Sequence, residues 1–83
     1  EGLLELKKHD EENQTQYMET LRVYLEQHLS ATQAARELFI HRSTFLYRLD
    51  RIKEILQSEL GDPGEIFYLE LSFRLLEQEQ EKE

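Results

Sequence analysis

Apolar residues return along this chain at spacings of three and four and nowhere alternate over a strand's length, so every element the pattern predicts is a helix. Leu3 and Leu6 place a short first helix over 3–9, and the polar stretch from Asp10 to Gln16 then breaks the pattern. Tyr17, Leu21, Tyr24 and His28 follow at steps of four, three and four, with Met18 and Leu25 widening the stripe, which predicts a helix over 15–27 that buries this face. His28 is read here as an edge-of-core residue rather than a ligand.

Ser30, Ala31, Thr32 and Gln33 have the form of a capping box, in which the Ser30 hydroxyl accepts the backbone amide three residues on and Gln33 reaches back. A short helix starts there, with Ala34, Ala35 and Leu38 on its apolar face. The two small side chains would let a following helix cross at close range. That next helix is expected from His41 to Ser43 through Gln57, burying Phe45, Leu49, Ile52 and Leu56. At about 100° per residue these four fall within roughly 60° of one another. The opposite direction holds Ser43, Tyr47 and Arg51, flanked by Thr44 and Asp50, while Arg48 sits beside the core edge, its stem on the domain and its guanidinium free to reach a phosphate.

Farther on, Gly61 suits a left-handed helix cap, Asp62 caps the next helix and Pro63 fits its first turn. The closing helix, 63–80, carries Ile66, Leu69, Phe73 and Leu76 on one face and Tyr68, Leu71 and Leu75 on a second. Either both stripes pack on the 15–27 helix, or part of the second forms a homodimer contact. The tail from Glu77 to Glu83 is expected to be frayed and solvated. The fold class is therefore all-α, a small bundle of four to five helices containing a helix-turn-helix.

Length adds that 83 residues hold one domain with one modest core. It spans 1–83, with a leading segment 1–13, the helix-turn-helix 30–57 and the closing helix. Absence of cysteine removes disulfides and thiolate sites and fits a reducing compartment, so a cytoplasmic location is expected. No apolar run approaches the roughly 20 residues of a membrane span.

A net charge of -8 opposes nucleic-acid binding at first sight, because such binding draws on Lys and Arg neutralising phosphates. The distribution reverses that impression. Residues 32–53 carry Arg36, Arg42, Arg48, Arg51 and Lys53 against Glu37 and Asp50, a local +3, while the segments on either side stand at -4 and -7. A charge island of this kind, taken alone, reads equally well as a solvated helix face. Generic three-helix bundles share the apolar spacing too. In combination, a short capped helix, a tight turn and a longer helix with hydroxyl, aromatic and arginine groups outward follow helix-turn-helix grammar. Arg forks onto guanine or grips phosphate, and Ser, Thr and Tyr hydroxyls donate to phosphate oxygens.

Enzyme readings find little support. There is no glycine-rich phosphate loop and no evident carboxylate pair, and His9, His28 and His41 lie scattered without ligand spacing. No catalytic residue, metal, cofactor, small molecule or membrane partner is expected. The alternative from another class is a helical protein interaction or dimerisation module without DNA binding, which would account for the acidic surface and the broad last helix.

The stretch from Ala34 through Arg36, Leu38, Ile40, Arg42, Thr44, Tyr47, Arg48 and Leu49 to Ile52 closely resembles the C-terminal domain of the PucR/CdaR class, regulators of purine catabolism and sugar-diacid use. Thr20 to Leu25 is similar to the family's pre-motif helix, Leu3 to Asp10 to its leading segment and Ile66 to Leu76 to its closing helix. The specific part, Ile40 through Leu49, is also similar to the motif of the Fis nucleoid protein and of enhancer-binding activators. The resemblance implies a DNA-binding output domain of a larger regulator, with its sensory region elsewhere, acting on double-stranded DNA as a homodimer or higher oligomer. Carried over by position, it implies that His41, Arg42, Thr44, Tyr47 and Arg48 read the duplex while Thr32 and Gln33 face backbone phosphate. The angular placement adds Ser43 and Arg51. Phe39 stands where many such turns place glycine, Ser43 replaces the usual asparagine, and Phe45 is larger than the usual leucine.

Overall fold

The computed structural model describes residues 2–81. They form five helices and no strand: α1 Gly2–Asn13, α2 Tyr17–Glu26, α3 Ala31–Leu38, α4 Arg42–Leu56 and α5 Pro63–Glu81. The all-α expectation is met at its upper count.

Leu3 and Leu6 anchor α1 in the core, yet the helix continues through the polar residues that ended the apolar pattern. Those residues have a purpose. The Asp10 carboxylate accepts the backbone amides of Tyr17 and Met18, each at 2.9 Å, and the Thr15 hydroxyl as well. An acidic side chain on one helix thus satisfies first-turn donors of the next and complements its dipole. The His9 ring stacks on Tyr17 at 5.1 Å and shares a 3.1 Å hydrogen bond with Thr15. The break in apolar spacing is a bracket joining α1 to α2.

From α2, Tyr17, Leu21, Val23 and Leu25 enter the core together with a fully buried Thr20. His28 does not join them. It lies beyond the end of α2, exposed, with a φ of 58°, and the edge-of-core reading is corrected: the left-handed turn takes it off the stripe. Its amide bonds to the Leu25 carbonyl at 3.1 Å while that of Leu29 bonds to Tyr24 at 2.9 Å. This is the paired closure of a Schellman motif.

The same closure recurs twice. Phe39 and Ile40 end α3 by bonding to Arg36 and Ala35 at 3.2 and 3.1 Å, and Gln57 and Ser58 end α4 on Glu54 and Lys53 at 3.3 and 3.1 Å. Phe39 and Gln57, with φ of 58° and 54°, take the left-handed positions that favour glycine. Gly61 does not adopt a positive φ, so its predicted role as a cap is corrected. The helix stops four residues earlier than that cap required, because Leu60 turns inward to near-complete burial and itself adopts the positive φ. Ser58 steadies this turn, accepting the Leu60 amide at 2.9 Å and donating to Glu65. Asp62 does cap α5, through the Glu65 amide at 2.9 Å.

α4 packs against α1, α2 and α3, with Phe45 and Ile52 fully buried and Leu49 nearly so. The principal neighbour of α5 is α2, met through Leu69 and Phe73 with Ile66 and Leu76 at the margin. The second stripe of α5 does not pack on α2: Tyr68, Leu71 and Leu75 are all exposed. The tail is helical through Glu81 rather than frayed, and Lys82 and Glu83 lie outside the described residues.

Candidate nucleic-acid interface

Ser30 begins α3 by accepting the Gln33 amide at 3.2 Å, the first half of the expected capping box. The reciprocal bond from the Gln33 side chain does not form; that side chain and Thr32 are exposed at the helix start. Ala34 and Ala35 are buried, with 0% and 4% exposure, where α3 meets α2 and α4. A larger residue at either would hold the helices apart. Three residues, Phe39 to His41, then turn the chain into α4.

Phe45, Leu49 and Ile52 fix the rotation of α4 by occupying the core, and everything opposite must face water. His41, Arg42, Ser43 and Thr44 are all exposed, and Tyr47 one turn on is 62% exposed. His41 is the residue before the helix and makes no side-chain capping bond, so its ring is free for an external partner. The first turn of α4 contains no acidic residue. Among the described residues, the ion pairs join Arg22 to Glu19 and Glu26, and Arg51 to Glu54. Arg36 and Arg42 therefore stand without a carboxylate partner there.

Two predicted residues have internal contacts instead. Arg48 is half-buried and donates through Nη1 to the Thr20 hydroxyl at 3.2 Å, while that hydroxyl donates to the Gln16 carbonyl at 2.7 Å. Arg51 is half-buried and paired with Glu54 at 2.6 Å. Its pKa is raised by the Tyr17 hydroxyl first and by Glu54 next. His41, Arg42, Ser43, Thr44 and Tyr47 thus form an uncompensated outward face, and Arg48 and Arg51 lie toward α2.

Sequence reasoning missed three features at this site. Thr20 sits on the buried stripe, three residues after Tyr17 and four before Tyr24, a position that calls for a polar partner if occupied by Thr. Phe39 is 94% exposed just before α4. Leu46 lies at the surface between Phe45 and Tyr47. Among the described residues no three His, Asp or Glu side chains converge as metal ligands, and no helix is long and apolar enough to cross a membrane.

A capped short helix, a three-residue turn and a longer helix propped on two alanines define a helix-turn-helix unit. Residues 17–75 match the PucR C-terminal helix-turn-helix domain, and the chain belongs to that family of transcription-regulator DNA-binding domains. It is 40% identical over 58 residues to the purine catabolism regulatory protein of Bacillus subtilis, covering 70% of this chain and 11% of that protein. It is also 40% identical over 57 residues to the proline-responsive transcriptional activator PutR of the same organism, covering 69% and 14%. The DNA-binding transcriptional activator AdeR, again from Bacillus subtilis, is 32% identical over 74 residues, 89% of this chain and 18% of AdeR. The chain thus spans less than a fifth of the length of these curated relatives. No solved structure matches it.

Proposed function

We propose that this domain binds double-stranded DNA sequence-specifically as the output module of a bacterial transcription regulator. The N-terminal half of α4 enters the major groove. The observation that carries the reading is the uncompensated face itself: Arg42, Ser43, Thr44 and Tyr47 project from a helix whose rotation the core fixes. Arg42 is suited to fork onto a guanine edge or a phosphate, and His41, Ser43 and Thr44 to donate to bases or backbone. Thr32 and Gln33 at the start of α3 approach phosphate on the flank.

Arg48 has a mixed role. Nη1 is held by Thr20, and the remaining guanidinium donors are left to grip a phosphate. Arg51, already paired with Glu54, contributes charge more than a directed contact. Asp50, exposed farther along, would be repelled by the duplex, so contact is confined to the first two turns of α4.

With four to six phosphates neutralised, log affinity should fall with log salt at a slope of about -4 to -5. One such module binds weakly, and useful affinity comes from two copies on half-sites about one helical turn, roughly 34 Å, apart. Selection of bound duplexes from random DNA, followed by titration of the winning site, tests the proposal. Arg42→Ala should weaken binding by about 1 to 3 kcal/mol and relax the preference at one position, with melting temperature unchanged. Equal affinity of Arg42→Ala and the parent, or no selected sequence at all, would sink it.

A further inference from the structure

α5 has two apolar faces and one principal internal neighbour, α2. Leu69 and Phe73 are buried toward α2, whereas Phe67, Tyr68, Leu71 and Leu75 are 65%, 49%, 45% and 54% exposed. At about 100° per residue, Leu71 points directly away from the middle of the Leu69 and Phe73 face, Leu75 about 140° from it and Tyr68 about 120° from it. This is a second stripe on the far side of the helix, and not an overspill of the core.

Its spacing differs from that of a face packing on a globular body. Tyr68, Leu71, Leu75 and Gln78 follow one another at three, four and three residues, the strict alternation of a two-helix seam. In heptad terms Tyr68 and Leu75 occupy a, and Leu71 and Gln78 occupy d. Arg74 then falls at g and Glu79 at the following e.

Charge selects the occupant and its direction. In a parallel pair a g residue meets the e residue five positions on in the partner. Two copies of α5 side by side therefore set Arg74 of each against Glu79 of the other. An antiparallel pair would instead bring Arg74 toward its own counterpart and Glu79 toward Glu65, like charges in both places. Both Arg74 and Glu79 are exposed and neither is in an ion pair among the described residues.

We infer that the exposed stripe of α5 is the seat of a second copy of this chain, joined by a parallel α5 seam with reciprocal Arg74 to Glu79 pairs. None of the seam positions lies on α4, whose outward face is left for the duplex. The contact is short, 11 residues from Tyr68 to Gln78 or about one and a half heptads, and acts together with any association supplied elsewhere in the regulator.

Sedimentation equilibrium of the 83-residue chain over a range of concentrations, without DNA, tests this. The parent should show a monomer-dimer equilibrium, and Leu71→Glu should weaken it by at least about tenfold with far-UV circular dichroism unchanged. Arg74→Glu and Glu79→Arg should each weaken association, and the double reversal should restore it. The charge variants decide the matter if Leu71→Glu loses helicity, because both positions are on the surface. A strictly monomeric parent overturns the inference, as does a dimer indifferent to the charge reversals or not rescued by the double variant. Arg42→Ala should leave association untouched, so a monomeric parent that still binds duplex through Arg42 would remove the seam and keep the DNA-binding proposal.

Discussion

α4 and α5 are the two long helices of the molecule, and each buries one apolar face while presenting another to solvent. Their supports differ: α4 lies against three helices, α5 chiefly against one. Their outer faces differ as well, cationic and hydroxyl-bearing on α4, apolar on α5. Burial therefore fixes how a helix is rotated, and the chemistry left outside decides what it is for. A face of Arg42, Thr44 and Tyr47 is satisfied by water or a polyanion, whereas one of Phe67, Leu71 and Leu75 is satisfied only by more apolar surface.

The largest effect should come from attacking the better-supported helix. Phe45 has no exposure and touches the Tyr24 ring at a centroid distance of 5.6 Å. Phe45→Ala removes a fully buried ring and should cost about 3 to 5 kcal/mol, enough to unfold a domain this small. Native-state hydrogen exchange sharpens the comparison with α5. Amides of α4 should open only with global unfolding, and those of α5 at a lower free energy, since one interface holds that helix. Equal protection of the two would show that α5 is integrated more deeply than its neighbours imply.

How far the sequence foretold this arrangement follows the same division. Apolar spacing located all five helices and the inner face of α4, because burial is a periodic property of the chain. The Ser30 and Asp62 caps were legible for the same reason, their residue types being matched to their positions. Of the three Schellman closures only that at Phe39 left a trace, at the position where many such turns place glycine; those at His28 and Gln57 left none, since residue preference disfavours the conformation they adopt. Asp10 was read as part of a break because its partners lie seven and eight residues ahead. At the candidate interface a helical wheel gave direction but no partners. It left Arg48 and Arg51 as free cations, and the first has Thr20, 28 positions away in sequence, while the second has Glu54.

The Arg48 to Thr20 bond ties α4 to α2, and among the described residues α5 has no such tie. Thr20→Val keeps the shape and removes the hydroxyl, leaving the Gln16 carbonyl and one Arg48 donor without it. A loss of about 1 to 2 kcal/mol in stability is expected, read by chemical denaturation. Duplex affinity should also fall, because an untethered guanidinium must be ordered on binding. Unchanged affinity at equal folding would mean that Arg48 reaches phosphate without help from α2.

The smallest change concerns how each long helix begins. Each is entered through a left-handed residue three positions before its first turn, Leu60 at a φ of 57° before α5 and Phe39 at 58° before α4, but Leu60 is 4% exposed and packed in the core whereas Phe39 is 94% exposed. A left-handed conformation costs an ordinary residue about 1 to 2 kcal/mol, and the added freedom of glycine when unfolded offsets part of any relief. Phe39 has almost no packing to lose. Phe39→Gly should therefore stabilise the domain by about 0.5 to 1 kcal/mol, visible as a raised melting temperature. A fall in stability would show that the ring supports the turn, and would make the entry to α4 as well braced as the entry to α5.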